Sequence, residues 1–166
     1  MARYVIMGVA GCGKSSVGQA VAKNIGARFI DGDDLHPPAN IQKMSEGTPL
    51  TDEDRAPWLA AVGDTLGRET PPTIIACSAL KRDYRDIIRD HAKADVTFLH
   101  LTGARAVIEA RMSAREGHFM PVSLLDSQFA TLEQLAADEL HFLADIDQNF
   151  EEVVGTFTSQ IRGSTS

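Results

Sequence analysis

A glycine-rich stretch near the start of the chain, GVAGCGKS at residues 8–15, has the residue spacing that binds phosphate groups. It matches the pattern G-x-x-x-x-G-K-S and directly follows the apolar run RYVIM. Glycines let the backbone curl so that N–H groups point at phosphate oxygens, and a following helix adds its positive end. We expect Lys14 to reach the β- and γ-phosphates of a nucleotide and Ser15 to bind Mg²⁺. The predicted nucleotide-binding residues of this loop are Gly8, Val9, Ala10, Gly11, Cys12, Gly13, Lys14, Ser15 and Ser16.

The same stretch is compatible with two further structures. It could be a glycine turn followed by a surface lysine, or the start of a dinucleotide fingerprint, G-x-G-x-x-G, with an acid supplied by FIDGDD. However, Ser16 stands where the fingerprint needs its third glycine, and Lys14 and Ser15 have no role in that motif. The pattern therefore favours a P-loop.

Two carboxylates follow the second apolar run, in FIDGDD at residues 29–34. Because Asp31 and Asp33 are two residues apart, an extended backbone would place both side chains on one face. We predict that Asp31 holds Mg²⁺ through water and that Asp33 accepts the proton of an attacking hydroxyl. The alternative is that these acids only cap a helix beginning near Asp34.

The elements that must position these residues alternate between short apolar runs and helical patterns. Several of the runs are apolar throughout, as expected of strands covered on both faces. This alternation predicts an α/β fold of three layers, with a five-stranded parallel sheet between helices. The predicted strands are 3–7, 27–31, 73–78, 96–101 and 141–146, and the predicted helices are about 14–25, 79–93, 104–116 and 149–162.

Two segments interrupt the alternation within what we predict to be a single domain over residues 1–166. The first, about 34–70, is long enough for two helices, the second of them capped by Thr51. The second interruption covers 117–140, and the second insertion, about 112–130, overlaps the first part of it. Both follow strands, so both could overhang the carboxyl edge of the sheet, where ligands bind in such folds.

Composition limits the partners and the location. The net charge of −7 weighs against a nucleic-acid partner, although a basic pocket for a small anion remains compatible with it. There is no run of about 18 apolar residues, and the N-terminal apolar stretch is too short for a signal peptide. Cys12 and Cys77 form no metal-ligand spacing and are expected to be reduced thiols, which places the protein in the cytoplasm.

Four segments together resemble the gluconate kinases, in the shikimate-kinase-like branch of small P-loop kinases. They are GVAGCGKS, DGDDLHPPANIQKMSEGTPLTDEDRAPWL, CSALKRDYRD and GHFMPVSLLDSQFATLE, and the resemblance runs from about residue 4 to residue 147. It implies a three-layer P-loop kinase fold, with 34–70 as the acceptor-binding insertion and 112–130 as a lid. It also implies Mg²⁺ and ATP-dependent phosphorylation of the C6 hydroxyl of D-gluconate, giving 6-phosphogluconate. Leu135 and Ala136 stand where the family pattern leads us to expect Pro-Gly.

The acceptor site is expected at the third strand. Ser78 could cap the following helix, and Lys81 and Arg85, at i,i+4 spacing, could share a face that binds the carboxylate of a sugar acid. His36, Asn40 and Lys43 could line the opposite wall. Each set could equally be a solvated helix face.

The lid is expected to supply further cations. Arg111 and Arg115 lie at i,i+4 spacing, with Arg115 neutralising phosphate charge beside Lys14 and Asp33 as a catalytic residue. Arg111 is assigned to the nucleotide, where it could stack on adenine, and His118 to the acceptor. Salt bridging is the alternative for both arginines.

Two rival functions are compatible with much of the same sequence. A kinase of the same scaffold could act on shikimate or another small hydroxy acid, and a P-loop switch would do no metabolic chemistry. The chain has no N-K-x-D motif, which a switch GTPase would be expected to show. The expected partners are a small-molecule substrate, with no nucleic acid and no membrane, and a homodimer is the one assembly considered.

Overall fold

The computed structural model describes residues 3–9, 11–113 and 122–164. In these ranges five strands form one sheet in the order β2-β3-β1-β4-β5, and every neighbouring pair is parallel. The predicted fold class is confirmed, and each predicted strand is present within a residue or two of its expected ends. The strands are β1 Arg3–Met7, β2 Arg28–Asp31, β3 Thr73–Ala76, β4 Thr97–Thr102 and β5 His141–Asp145.

Helices connect the strands, and a 3₁₀ turn, Gly32–Leu35, follows β2. The insertion after β2 contains two helices, as predicted, while the second insertion contributes one helix in its described part. The helices are α1 Lys14–Ile25, α2 Pro38–Ser45, α3 Asp52–Arg68, α4 Arg82–Ala92, α5 Arg105–Ser113, α6 Val122–Thr131 and α7 Phe150–Ser164. Over the described residues, no helix is both long and apolar enough to cross a membrane.

The sheet is covered on both faces, which explains its uninterrupted apolar strands. Ile6 and Leu99 point into one core, built with α1 and α7, while Val5 and Phe98 point into a second core, built with α3 and α4. All of these side chains are fully buried. The central strands are thus covered on both faces, and their carboxyl ends are where ligands bind in such folds, whereas the edge strands β2 and β5 are partly exposed.

The two helices that flank the acceptor side begin differently. Thr51 caps α3 in a capping box, since its hydroxyl accepts from the Asp54 N–H at 3.1 Å and its own N–H donates to Asp54 at 2.9 Å. The prediction that Ser78 caps α4 is wrong, because α4 begins at Arg82. The residues before it form a loop in which Ala79 has a φ of 45°.

Helices α3 and α4 approach so closely that a glycine is required at the crossing. A Cβ at Gly63 would lie 2.5 Å from the Ile88 carbonyl oxygen and 2.7 Å from the His91 Cβ. A Cβ at Gly155, in the middle of α7, would meet nothing within 4 Å.

These two helical glycines should respond to alanine with opposite signs. We expect Gly63→Ala to lower the free energy of unfolding by about 1–3 kcal/mol, because the helices must separate. Gly155→Ala should raise it by about 0.5–1 kcal/mol, because alanine loses less backbone entropy in a helix. Urea denaturation of both variants measures this, and equal shifts of the same sign would contradict the crossing geometry.

Candidate active site

The loop after β1 has the shape of a phosphate cradle. Gly8 has a φ of 153°, and a Cβ there would lie 2.8 Å from the Cys12 Sγ and 2.9 Å from the Leu101 carbonyl oxygen. Gly13 adopts a left-handed conformation, φ 91° and ψ 26°, immediately before α1. Glycine is therefore needed at both ends of the loop, for space at the first position and for conformation at the second. Ala10 lies outside the described residues.

The cradle is electropositive in two ways. Gly13, the residue that caps α1, has no side chain to occupy the helix N-terminus, so the N–H groups of the first turn face outward for an anion. The Lys14 ammonium donates hydrogen bonds to the carbonyl oxygens of Gly8, at 3.1 Å, and Val9, at 3.3 Å. The helix end and the ammonium thus both present positive charge where a phosphate would bind.

A hydroxyl and a carboxylate meet beside the cradle. The Ser15 Oγ lies 3.5 Å from the Asp31 Oδ2, because strand order places the end of β2 near the start of α1. Both are the hard oxygen ligands that Mg²⁺ prefers. Among the described residues, no group of three or more His, Cys, Asp or Glu side chains is arranged to hold a metal ion.

Asp33 is exposed at the carboxyl edge of the sheet, but its backbone differs from the prediction. The other Asp31 oxygen accepts from the Asp33 N–H at 3.0 Å and caps the 3₁₀ turn. The expectation of an extended backbone with both carboxylates on one face is therefore wrong, since the chain turns at Gly32. The alternative prediction, that these acids cap a helix, is correct for Asp31: one of its oxygens caps the 3₁₀ turn and the other lies near the Ser15 hydroxyl.

Three of the predicted acceptor residues brace the insertion. His36 is buried and stacks on Trp58 with ring centroids 4.1 Å apart, and burial lowers its pKa. Asn40, also buried, bonds the His36 Nδ1 at 3.3 Å and donates to the Asp54 carbonyl oxygen at 2.9 Å. Lys43 pairs with the Asp54 carboxylate at 2.7 Å. These contacts fasten α2 to the start of α3.

A cavity of about 590 Å³ lies between the 44–50 segment, α3, α6 and the loop before α4. Among the described residues that were predicted to bind the acceptor, Ser78 alone lines it. The full lining is Met44, Gly47, Thr48, Pro49, Leu50, Arg55, Ser78, Leu80, Tyr84, Ser127, Gln128 and Thr131.

Two cations flank the aromatic ring on the wall of this cavity. Arg55 lies 5.6 Å and Lys81 lies 5.5 Å from the centroid of Tyr84. The Tyr84 hydroxyl donates to Asp52 at 2.5 Å, and this hydrogen bond lowers the pKa of Asp52. Asp52 also contacts both cations, Arg55 at 3.6 Å and Lys81 at 3.4 Å. Lys81 and Asp52 are not lining residues themselves, and Arg55 is the one charged residue in the described lining, so the wall has a net positive charge.

Arg55 is a site residue that the sequence prediction missed. It stands one turn into α3, after Asp52, Glu53 and Asp54, close to the positive end of the helix dipole. A cation is unfavourable at that position on dipole grounds alone. This local conflict between residue and position is a signal that could have identified it.

The prediction that Arg85 and Lys81 share an acceptor-facing surface is wrong. Lys81 is half-exposed, but the Arg85 side chain is fully buried and forms two hydrogen bonds with Glu139, at 2.7 and 3.2 Å. Burial by itself raises the pKa of Glu139, but hydrogen bonds from Arg85 and the Ala136 N–H outweigh it and lower the pKa to about 2. The Arg85 guanidinium is already paired with Glu139 in the interior and is not among the residues that line the cavity.

The nucleotide end of the site is only partly described. Arg111 donates to the carbonyl oxygens of Ile146 and Gln148, the latter at 3.0 Å, in the loop between β5 and α7. A cavity of about 360 Å³ beside this loop includes Val9 of the P-loop and Asp145 in its lining. Arg115 and His118 lie outside the described residues.

The fold and the site together define a P-loop kinase of small molecules, and similar proteins narrow the class. The shikimate kinase family matches residues 10–162. The thermoresistant gluconokinase of Escherichia coli is 46% identical over 163 residues, which cover 96% of this chain and 93% of the relative. The gluconokinase of Gluconobacter oxydans is 48% identical over 138 residues, 81% of this chain and 77% of the relative.

Solved structures agree with this grouping. The crystal structure of a gluconokinase from Sinorhizobium meliloti is 44% identical, has a TM-score of 0.86, and is matched over 99% of this chain and 98% of its own. The shikimate kinase of Aquifex aeolicus is 14% identical with a TM-score of 0.65, matched over 98% of both chains, and shares the fold. The chain belongs to the shikimate kinase family of P-loop kinases, in its gluconokinase branch.

Proposed function

We propose that the protein transfers the γ-phosphoryl group of ATP to the C6 hydroxyl of D-gluconate, giving 6-phosphogluconate. The observation that carries the proposal is the pairing of a phosphate cradle with a separate cavity whose wall is cationic, at one edge of the sheet. Gluconate has one carboxylate and several hydroxyls, so it suits a cavity with net positive charge and hydroxyl-bearing walls. We place the reaction in the cytoplasm, in keeping with two free, buried cysteines.

In this proposal the chain holds Mg·ATP with residues that already lie together. Backbone N–H groups of residues 8–16 and the ammonium of Lys14 bind the phosphates, and Ser15 and Asp31 hold Mg²⁺. When bound, Mg²⁺ neutralises charge that develops on the transferred group. Lys14 leaves the carbonyl oxygens of Gly8 and Val9 for the phosphates, and Arg111 secures the loop at the adenine end.

The chemistry of the acceptor falls to Asp33. It is exposed at the carboxyl edge, one turn beyond the Asp31–Ser15 contact, and carries no ion pair in the described part of the chain. A carboxylate there orients the C6 hydroxyl and accepts its proton as the phosphoryl group is transferred. Arg115 and His118 complete the lid in this proposal, as phosphate and acceptor contacts respectively.

The acceptor carboxylate is assigned to Arg55 and Lys81 instead of Lys81 and Arg85. Arg55 lines the cavity, and its fork of N–H donors matches a carboxylate. Ser78 provides a hydroxyl on the same cavity wall. His36, Asn40 and Lys43 hold the insertion in place and act on the acceptor only through that position.

The acceptor is tested by measuring ADP release with ATP and Mg²⁺ across a panel of acids. We expect turnover with D-gluconate to exceed that with shikimate, glycerate and nucleoside monophosphates, because the relatives that match most of the chain are gluconokinases. A control without acceptor measures ATP hydrolysis by water. Preference for shikimate would support the alternative acceptor on the same scaffold and overturn the proposal.

The two aspartates should differ in their response to metal. Asp33→Asn keeps the shape but removes the proton acceptor, so we expect kcat to fall by about 10²–10⁴ with ATP binding nearly unchanged. Asp31→Asn should weaken the use of Mg·ATP and be partly rescued by added Mg²⁺. The measurement is kcat against Mg²⁺ concentration for both variants, and rescue of Asp33→Asn instead of Asp31→Asn would reverse the two roles.

The carboxylate assignment predicts a selective loss of gluconate affinity. Arg55→Lys keeps the charge but loses the two-pronged contact, so KM for gluconate should rise about tenfold or more while KM for ATP stays within about twofold. Lys81→Met should raise KM for gluconate less, since it removes a single-point contact. Arg28, which is exposed and pairs with Glu69 away from the cavity lining, gives the matched control Arg28→Lys. An unchanged KM for gluconate in Arg55→Lys would place the carboxylate elsewhere.

A further inference from the structure

The loop between β3 and α4 forms part of the acceptor cavity and has an unusual backbone. Ser78 and Leu80 line the cavity, and Ala79 between them has a φ of 45°, in the left-handed region that residues with a Cβ seldom occupy. Ala79 is buried and is followed by the late start of α4 at Arg82. This conformation persists only if contacts around it hold it.

Arg85 supplies those contacts from beneath the loop. Its Nη1 donates to the carbonyl oxygens of Ala79, at 2.9 Å, and Leu80, at 3.3 Å. Its remaining guanidinium nitrogens, Nε and Nη2, bind the two oxygens of Glu139. One buried side chain thus joins the loop of the cavity wall to the segment before β5.

Glu139 organises the opposite side of the same cavity. Besides Arg85, it accepts from the Ala136 N–H at 3.2 Å and from Arg89 at 3.1 Å. The segment it anchors, 132–139, returns to the loop through the Glu133 N–H, which donates to the Leu80 carbonyl oxygen at 2.7 Å. This segment continues directly from α6, whose residues 127, 128 and 131 line the cavity.

We propose that the Arg85–Glu139 ion pair is the positioning device of the acceptor cavity, holding the 78–80 loop and the α6 side in register. Neither residue touches the acceptor; each acts through the backbone that does. The inference rests on the proposed function, because it concerns the site assigned to gluconate. The N–H at position 136 that donates to Glu139 would also be present with Pro-Gly at 135–136, so the ion pair does not depend on Leu135 or Ala136.

A double variant separates positioning from stability. Removing one partner alone leaves a buried charge uncompensated, whereas replacing both by apolar residues of similar size is often neutral for stability. Arg85→Met with Glu139→Leu should therefore fold, but the Ala79 carbonyl oxygen loses its donor at position 85, and the Leu80 carbonyl oxygen keeps only the Glu133 N–H. We expect KM for gluconate to rise about tenfold or more and KM for ATP to stay within about twofold. Asp138→Asn, which breaks the exposed Arg82–Asp138 pair between the same two segments, is the matched control and should leave both KM values unchanged.

The conservative variant Arg85→Lys provides the second measurement. It keeps the positive charge opposite Glu139 but cannot donate to the carboxylate and both carbonyl oxygens together, so the same selective rise in KM for gluconate is expected. If the double variant does not fold, Arg85→Lys decides the question, assayed well below its Tm. A KM for gluconate within about twofold of the unmodified protein in a folded variant overturns the inference. Absence of gluconate turnover in the unmodified protein would instead overturn the proposed function, and the KM comparison would then use the preferred acceptor of the panel.

Discussion

The carboxyl end of β1 is the point on which the rest of the structure depends. β1 is buried on both faces and hydrogen-bonded to β3 on one edge and to β4 on the other. These contacts fix the position of Met7, the last residue of the strand. Immediately after it, the Leu101 carbonyl oxygen and the Cys12 sulfur leave no room for a Cβ at Gly8. The chain must turn there, and the turn becomes the phosphate cradle. Asp31 and the acceptor cavity take their places relative to it through β3, the strand between β1 and β2.

The proposed anion-binding places carry positive charge although the chain as a whole is negatively charged. The protein has a net charge of −7, yet Lys14, Arg55 and Lys81 lie at the two places where anions are proposed to bind. Asp52 and Tyr84 hold the cations at the cavity in fixed positions, and Asp52 reduces the local charge to what one carboxylate can balance.

The buried ion pair shows how a fold can use charge for geometry. Taking Arg85 and Glu139 out of water costs free energy, and their mutual attraction offsets that cost only because their hydrogen bonds are nearly all satisfied. What the pair adds is direction: a guanidinium donates in one plane, so it fixes two carbonyl groups and a carboxylate relative to one another. An apolar pair of the same size would fill the space without fixing the loop.

Local residue patterns determined the fold class and the phosphate cradle. Strand runs such as 3–7, the helix at 14–25 and the cap at Thr51 depend on neighbours in sequence, and the spacing G-x-x-x-x-G-K-S defines a P-loop. The pairing of Ser15 with Asp31 also followed, since parallel strands end at the same edge.

Tertiary packing decided which cations are free to bind. Lys81 and Arg85 have the same charge and lie at helical spacing, but Lys81 stays partly exposed beside Tyr84 and Asp52, whereas Arg85 pairs with Glu139, which is 54 residues away in sequence. The residues near Arg85 in sequence do not predict that it pairs with Glu139. The burial of its guanidinium depends on that pairing. Arg55 lies beside Tyr84 because α3 packs against α4, and its Nη1 donates to the Tyr84 hydroxyl at 3.3 Å. The role of a charged side chain thus depends on which distant segment is packed against it, because a buried charge must be paired and an exposed one need not be.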